Sequence, residues 1–238
     1  MFNVIILTAY PEMFPGSLKY SLIGKALNEK IFKIETINLH DFGIDNRKSI
    51  DDEPFGGGPG MILRPDVVEK ALLSIAKKQN LNSAKIYLTP SGALLSQGKL
   101  GILSKLDEII ILCGRFEGVD QRAIDILGFE EISIGDYVLA GGEIAAQVLL
   151  EGCIRLIPGV LGHPESLLEE SFSDNLLEYP HYTRPNVWED SLGKKHDVPE
   201  VLTSGHHGNI IKWRLNKSVE KTKKIRPDLY IKKEQKQD

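Results

Sequence analysis

Ile109-Ile110-Ile111-Leu112-Cys113-Gly114-Arg115-Phe116-Glu117-Gly118 joins an unbroken apolar run to a short, glycine-bounded polar turn. The run has strand length and is rich in β-branched residues. Without polar alternation it reads as a strand covered on both faces, as in a parallel sheet between helices. Val4-Ile5-Ile6-Leu7, Ile31 to Leu39, Lys85-Ile86-Tyr87-Leu88 and Ile132 to Leu139 also read as strands. Met13 to Glu29, Pro65 to Gln79, Ser96 to Lys105 and Asp120 to Leu127 lie between them and read as helices. This alternation predicts an α/β domain with a mostly parallel sheet over residues 1–160.

Three of these strands run into small or polar residues: Leu88 into Thr89-Pro90-Ser91-Gly92, Leu112 into Cys113 to Gly118, and Leu139 into Ala140-Gly141-Gly142. Ligands of open α/β sheets sit outside the carboxyl ends of strands, so these loops point to one shared crevice. The next stretch, Glu143 to Leu156, reads as a helix apolar nearly all round, with Glu143, Gln147, Glu151 and Arg155 as its polar stripe. Such a helix must be covered on most sides. Its own sheet would hide one face, and a subunit interface another. Residues 161–175 are polar and acidic and read as an interdomain linker. From 176 the pattern changes to loops punctuated by Pro180, Pro185 and Pro199, then a basic helix from Asn209 to Ile225. Ile210, Ile211, Leu215 and Val219 give that helix an apolar face, and His206-His207 mark its entrance.

Composition narrows the function. The 238 residues are 42% apolar, too many for a disordered chain. No stretch approaches the ~20 apolar residues of a membrane helix, and the apolar run at Val4 follows no basic region of a secretory signal. Cys113 and Cys153 form no Cys-x-x-Cys pair, so a reducing cytosol is the expected setting. The net charge of −4 conceals a basic end. Residues 205–238 hold ten Lys and Arg against four Asp and Glu, a balance of +6. That points to a nucleic-acid partner, although charge alone fits a solvated helix face equally well. There is no Walker A loop, no Gly-x-Gly-x-x-Gly after the first strand and no Gly-x-Ser-x-Gly elbow. The histidines show no metal-binding helical spacing. Gly56-Gly57-Gly58-Pro59-Gly60 allows close backbone approach to a ligand or simply a sharp turn. Asp51-Asp52-Glu53 before it could repel or orient a polyanion or bind Mg²⁺, which no motif requires.

Asp51-Asp52-Glu53-Pro54-Phe55-Gly56-Gly57-Gly58-Pro59-Gly60-Met61 resembles a signature of the bacterial tRNA (guanine-N1)-methyltransferase family. So do Cys113 to Asp120, Ser133 to Leu139, Arg155 to Gly162 and Pro180-His181-Tyr182-Thr183-Arg184-Pro185, in family order over almost the whole chain. The resemblance implies a SPOUT-like α/β domain with a deep trefoil knot, followed by a small helical tRNA-binding domain over 176–238. It implies S-adenosyl-L-methionine as methyl donor, a cytoplasmic homodimer, and tRNA as substrate. The methylated atom would be N1 of the guanine 3′ of the anticodon, position 37, when another guanine precedes it. Each site would combine the cofactor loops of one subunit with the linker of the other.

By the same resemblance, Leu88, Pro90, Gly114, Glu117 and the run Ile134, Gly135, Asp136, Tyr137, Val138, Leu139, Gly141 and Gly142 hold the cofactor. Arg155 matches the family's arginine, which would stabilise charge developing at O6. The family's Glu-Asp-Ser-Phe is here Glu169-Glu170-Ser171-Phe172, so Glu170 takes the place of the aspartate that serves as general base. Glutamate has a similar intrinsic pKa, about 4.3 against about 3.9, yet is one methylene longer. Lys217, Lys221 and Lys224 on the basic helix would meet phosphates. The alternative is a catalytically weak tRNA-binding homologue, because the base position departs from the family. Phe116 stands where relatives often carry Tyr, which deletes a hydroxyl and keeps the stacking surface.

Overall fold

The computed structural model describes residues 1–75, 82–162, 167 and 169–235. The chain divides into two compact units, Met1–Gly162 and His163–Asp238.

The first unit is built on a five-stranded, wholly parallel sheet in the order β2-β1-β6-β5-β7. Its strands are β1 (Phe2–Thr8), β2 (Phe32–Asn38), β5 (Ser83–Leu94), β6 (Glu108–Cys113) and β7 (Glu130–Ser133). A two-residue antiparallel pair, β3 (Asp51–Asp52) with β4 (Ile62–Leu63), lies apart from it. The helices are α1 (Ser21–Asn28), α2 (Pro65–Ile75), α3 (Gln97–Leu103), α4 (Gln121–Leu127) and α5 (Gly142–Ile154).

Successive residues of the central strands feed two separate cores. Val4, Ile6, Ile109 and Ile111 pack with Ala146, Leu149, Leu150 and Cys153 of α5 and with Ile23 and Ala26 of α1. Ile5, Leu7, Ile110 and Leu112 pack with Val67, Val68 and Ala71 of α2 and with Ala123 and Ile124 of α4. A strand with helices on both faces has no solvent side, which is why its sequence is apolar without alternation.

Several expected boundaries move. The strand expected over Lys85 to Leu88 runs Ser83–Leu94. The strand expected over Ile132 to Leu139 ends at Ser133, where the Ser133 hydroxyl accepts the Gly135 N–H at 3.2 Å and turns the chain out of the ladder. Residues 134–141 are loop, apolar for reasons of the site. The helix expected over Met13 to Glu29 is two 3-10 turns, Pro11–Met13 and Gly16–Lys19, then α1. Pro15 has no N–H to donate and Gly16 takes a φ of +56, so a continuous helix cannot form there. The helix expected over Glu143 to Leu156 is Gly142–Ile154, with Arg155 as its C-cap. Helix α2 is described through Ile75, and the expected residues 76–79 lie outside the described residues. Ser96 caps α3 by accepting from the Lys99 N–H at 3.2 Å, and Asp120 caps α4 by accepting from the Arg122 N–H at 3.0 Å.

The second unit holds a hairpin of β8 (Val187–Glu189) and β9 (Lys195–Asp197), then α6 (Glu200–Thr203), α7 (His207–Ile225) and α8 (Pro227–Glu234). Helix α7 begins two residues before the expected Asn209, with His206 as its cap. Its Thr222 is wholly buried. The hydroxyl accepts from the Leu177 N–H at 2.8 Å and donates to the Ser218 carbonyl at 2.6 Å, tying the segment before the hairpin to the helix. Among the described residues no helix is long and apolar enough to cross a membrane.

Candidate cofactor cleft and flanking residues

Three separated loops meet beside the carboxyl ends of β6 and β7. The first is an excursion within β5. Leu88 and Ala93 both stand opposite Ile132 of β7, so the residues between them bulge out of the ladder. The second, Gly114 to Gly118, follows β6, and the third, residues 134–141, leads from β7 into α5. The Gly142 N–H donates to the Gly114 carbonyl at 2.9 Å and joins the last two loops, while the Leu95 N–H donates to the Ser133 carbonyl at 2.8 Å.

The loops enclose a cleft of about 320 Å³, within the range of small-molecule sites. Leu88, Pro90, Gly114 and Glu117 line it, as do Ile134, Gly135, Tyr137, Val138, Leu139, Gly141 and Gly142. Asp136, expected with them, is exposed and not part of the wall. Sequence reasoning missed Tyr87, Ser133 and Ala145 on the wall, since each belongs to a strand or helix and not to a loop. Glycines of the wall leave no room for a side chain, Gly114 and Gly142 among them. A Cβ on Gly114 would lie 2.8 Å from the Tyr87 ring, and one on Gly142 would lie 2.9 Å from the Cys113 Cα. The Tyr87 phenol is held above its ordinary pKa chiefly by burial.

Beneath the cleft lies a charge that the sequence placed on a polar stripe. Glu143 is fully buried, not exposed. It forms an ion pair with Arg115 at 2.9 Å and accepts the Thr8 hydroxyl at 2.8 Å. The period of 3.6 brings Glu143 to the sheet side at the first turn of α5, while Ile144 and Val148 of the same helix are left half exposed.

The Gly56 to Gly60 turn takes positive φ at Gly56, Gly57, Gly58 and Gly60, and Gly60 packs against the Glu117 side chain. The Glu117 N–H donates to the Met61 carbonyl at 2.9 Å, so this turn adjoins the cleft wall. Asp52 is held by Arg64 at 2.7 Å. Among the described residues no group of three or more His, Cys, Asp or Glu is arranged to hold a metal ion. Cys113 and Cys153 are free and buried. Burial pushes the Cys153 thiol up to about 12, and burial with the Glu143 charge pushes Cys113 well above the thiol range.

The remaining expected residues lie elsewhere. Arg155 caps the C-terminus of α5 in the first unit, where a cation suits the helix dipole. Glu170 belongs to the second unit and lines a smaller hollow there, floored by Leu177, Ile211 and Leu215, beside Glu169 and Arg214. The Tyr179 hydroxyl donates to Glu169 at 2.7 Å, and burial followed by this bond pushes the phenol up to about 12. Lys217, Lys221 and Lys224 share one face of α7 by their spacing. Lys217 pairs with Glu220 at 2.7 Å, Lys221 donates to the Glu178 carbonyl at 2.9 Å, and Lys224 is exposed.

The family model described as tRNA (Guanine-1)-methyltransferase TrmD matches residues 2–232. A tRNA (guanine-N(1)-)-methyltransferase of Ehrlichia canis (strain Jake) is 49% identical over 228 residues, covering 95% of this chain and 94% of the relative. One of Rhodospirillum rubrum is 50% identical over 228 residues, 96% and 92% of the two chains. One of Wolbachia pipientis wMel is 51% identical over 230 residues, 96% and 95% of the two chains. With a family match across nearly its whole length and relatives at about half identity, the chain belongs to the tRNA (guanine-1)-methyltransferase family.

Proposed function

We propose that this protein transfers a methyl group from S-adenosyl-L-methionine to N1 of the guanine 3′ of the tRNA anticodon. The observation that carries the reading is the convergence of three loops, each separated from the next by a strand and a helix, into one cleft. Its residues fit the donor. Backbone N–H and C=O groups of residues 134–142 suit the hydrogen-bonding edge of a neutral purine, and Leu88, Ile134, Val138 and Leu139 offer apolar cover. When bound, S-adenosyl-L-methionine supplies the methyl group as an electrophile on a cationic sulfur.

The chain's own residues handle the proton and the charge. N1 of guanine carries a proton at neutral pH, and Glu170 accepts it as general base. Negative charge then grows toward O6, where the Arg155 guanidinium stabilises it. Lys217, Lys221 and Lys224 hold tRNA phosphates, and the basic balance of residues 205–238 supports this. The half-exposed Ile144 and Val148 on α5, at 50% and 49%, support a homodimer that covers this helix. The family match supports the knotted topology of the SPOUT class. A cytoplasmic setting fits the tRNA substrate.

Glu170→Gln keeps size and hydrogen bonding and cannot take the proton. Single-turnover methyl transfer should fall about 100-fold or more, with donor and tRNA affinities nearly unchanged. A variant that transfers at the wild-type rate would remove Glu170 from this role. A wild-type chain that binds tRNA and donor without transfer would favour the weak homologue instead.

A further inference from the structure

Four groups close a ring beneath the cleft. The Arg115 guanidinium lies over the Tyr10 ring at 4.3 Å and pairs with Glu143 at 2.9 Å. Glu143 accepts the Thr8 hydroxyl at 2.8 Å, and Thr8 Oγ1 in turn accepts the Tyr10 N–H at 3.0 Å. The pair is anchored on the sheet through β1 and on α5 through Glu143.

Such an arrangement is a poor way to gain stability. Burying the Glu143 carboxylate costs several kcal/mol before its attraction to the partly exposed Arg115 is counted, and apolar replacements of such pairs are often neutral or stabilising. What this pair does have is a place in the cleft, which Arg115 itself lines. The Arg115 Nη1 donates to the Ala140 carbonyl at 3.3 Å. A Cβ on Gly141 would stand 2.5 Å from the Arg115 Nε, so the backbone there lies directly against the guanidinium. Arg115 belongs to the loop after β6, and Ala140 and Gly141 to the loop after β7. The side chain therefore fixes two of the three cleft loops to one another.

We propose that Arg115 and Glu143 are positioning residues for the donor site: Arg115 holds the Ala140–Gly141 backbone in the shape that forms the cleft, and Glu143 holds Arg115. This rests on the reading of the cleft as the donor site. Neither residue needs to touch the reacting atoms. Their effect is on the geometry of loop 134–141, where errors of about 1 Å can cost ~100-fold in a positioned reaction.

The test compares Arg115→Met, Glu143→Gln and the double variant, using S-adenosylhomocysteine as probe. Each single variant leaves one buried group unmatched, so each should melt lower and bind the probe at least tenfold more weakly by calorimetry. The double variant removes both charges and should recover most of the melting temperature. It should still bind at least tenfold more weakly, and its amides over 134–141 should exchange with solvent at least tenfold faster than those of the wild type. A double variant with wild-type affinity and wild-type exchange would overturn the proposal and leave the pair a structural one. If the double variant does not fold, Arg115→Lys serves in its place. It keeps the charge opposite Glu143 and loses the fork that also reaches Ala140, so it should melt normally and bind weakly, whereas normal binding would overturn the proposal. Should the wild type bind no S-adenosylhomocysteine, the reading of the cleft fails, and the exchange of residues 134–141 alone decides: acceleration supports the loop-holding role, and unchanged exchange refutes it.

Discussion

Cys113 and Cys153 have thiols that burial holds above the ordinary range, Cys153 to about 12. The thiolate is the reactive form. Neither cysteine should react with a thiol reagent at pH 8 until denaturant is added, and labelling followed by mass spectrometry checks this. Prompt labelling of either in the native protein would contradict the packing described. At the same scale, Glu170→Asp restores the family residue. It should retain or raise the transfer rate if the segment has standard geometry, and lower it if the backbone has adapted to the longer side chain. Residue-level chemistry was unevenly legible. The glycines of the cleft stood out because small residues after buried strands are conspicuous. Glu143 did not, because a four-residue spacing of polar groups looks like a solvent stripe. Only the meeting of Arg115 and Thr8 with that position, from 28 and 135 residues away in the chain, makes it an interior site.

Helices and strands carry the next level. Asp120 caps α4 and pairs with Arg122, and the hydrogen bond from Arg122 lowers its pKa. Replacing it with Ala should cost about 1 kcal/mol at neutral pH. Because the folded-state pKa is depressed, this contribution is present above the unfolded value of about 3.9 and disappears as pH falls through the folded one. Denaturant titrations of the two proteins should therefore converge only as pH falls well below about 4, and a gap that persists undiminished in strong acid would rule out the ionised cap as its source. On α7, replacing Lys217, Lys221 and Lys224 together with Gln should weaken tRNA binding and flatten its salt dependence while donor affinity is unchanged. An unaltered salt slope would show the three to be a solvated face. The strands β1 and β6 were plain in the sequence, because central parallel strands are apolar on both faces. The β8–β9 hairpin was invisible for the opposite reason. All six of its strand residues are exposed, so no periodic apolar signal marks it. It is fixed by Asp190, whose carboxylate accepts the Leu192 and Lys194 N–H groups and lies 2.8 Å from the His196 ring nitrogen.

Whole-molecule properties follow from which faces remain uncovered. Helix α5 was expected to need cover on two sides. One is the sheet, through Ala146, Leu149 and Leu150, and the other is the half-exposed pair Ile144 and Val148. A homodimer through that face should be seen by light scattering at micromolar concentration. Glu in place of both Ile144 and Val148 should shift it toward monomer with the fold intact, whereas a wild-type monomer would refute the dimer. The α/β class and the basic carboxyl-terminal region could be read from the chain, since one depends on local apolar patterning and the other on composition. The identity of the reaction could not, because the cleft loops leave little trace in the sequence beyond their glycines. It came from the family resemblance. Where the methyl group goes decides the proposed reaction most directly. Incubating the purified protein with S-adenosyl-L-methionine and a tRNA transcript, then mapping the modified nucleoside by mass spectrometry, should find one methyl at N1 of the guanine 3′ of the anticodon. It should find none when that guanine is replaced by adenine. Methylation at another position, or an unmodified transcript, would contradict it.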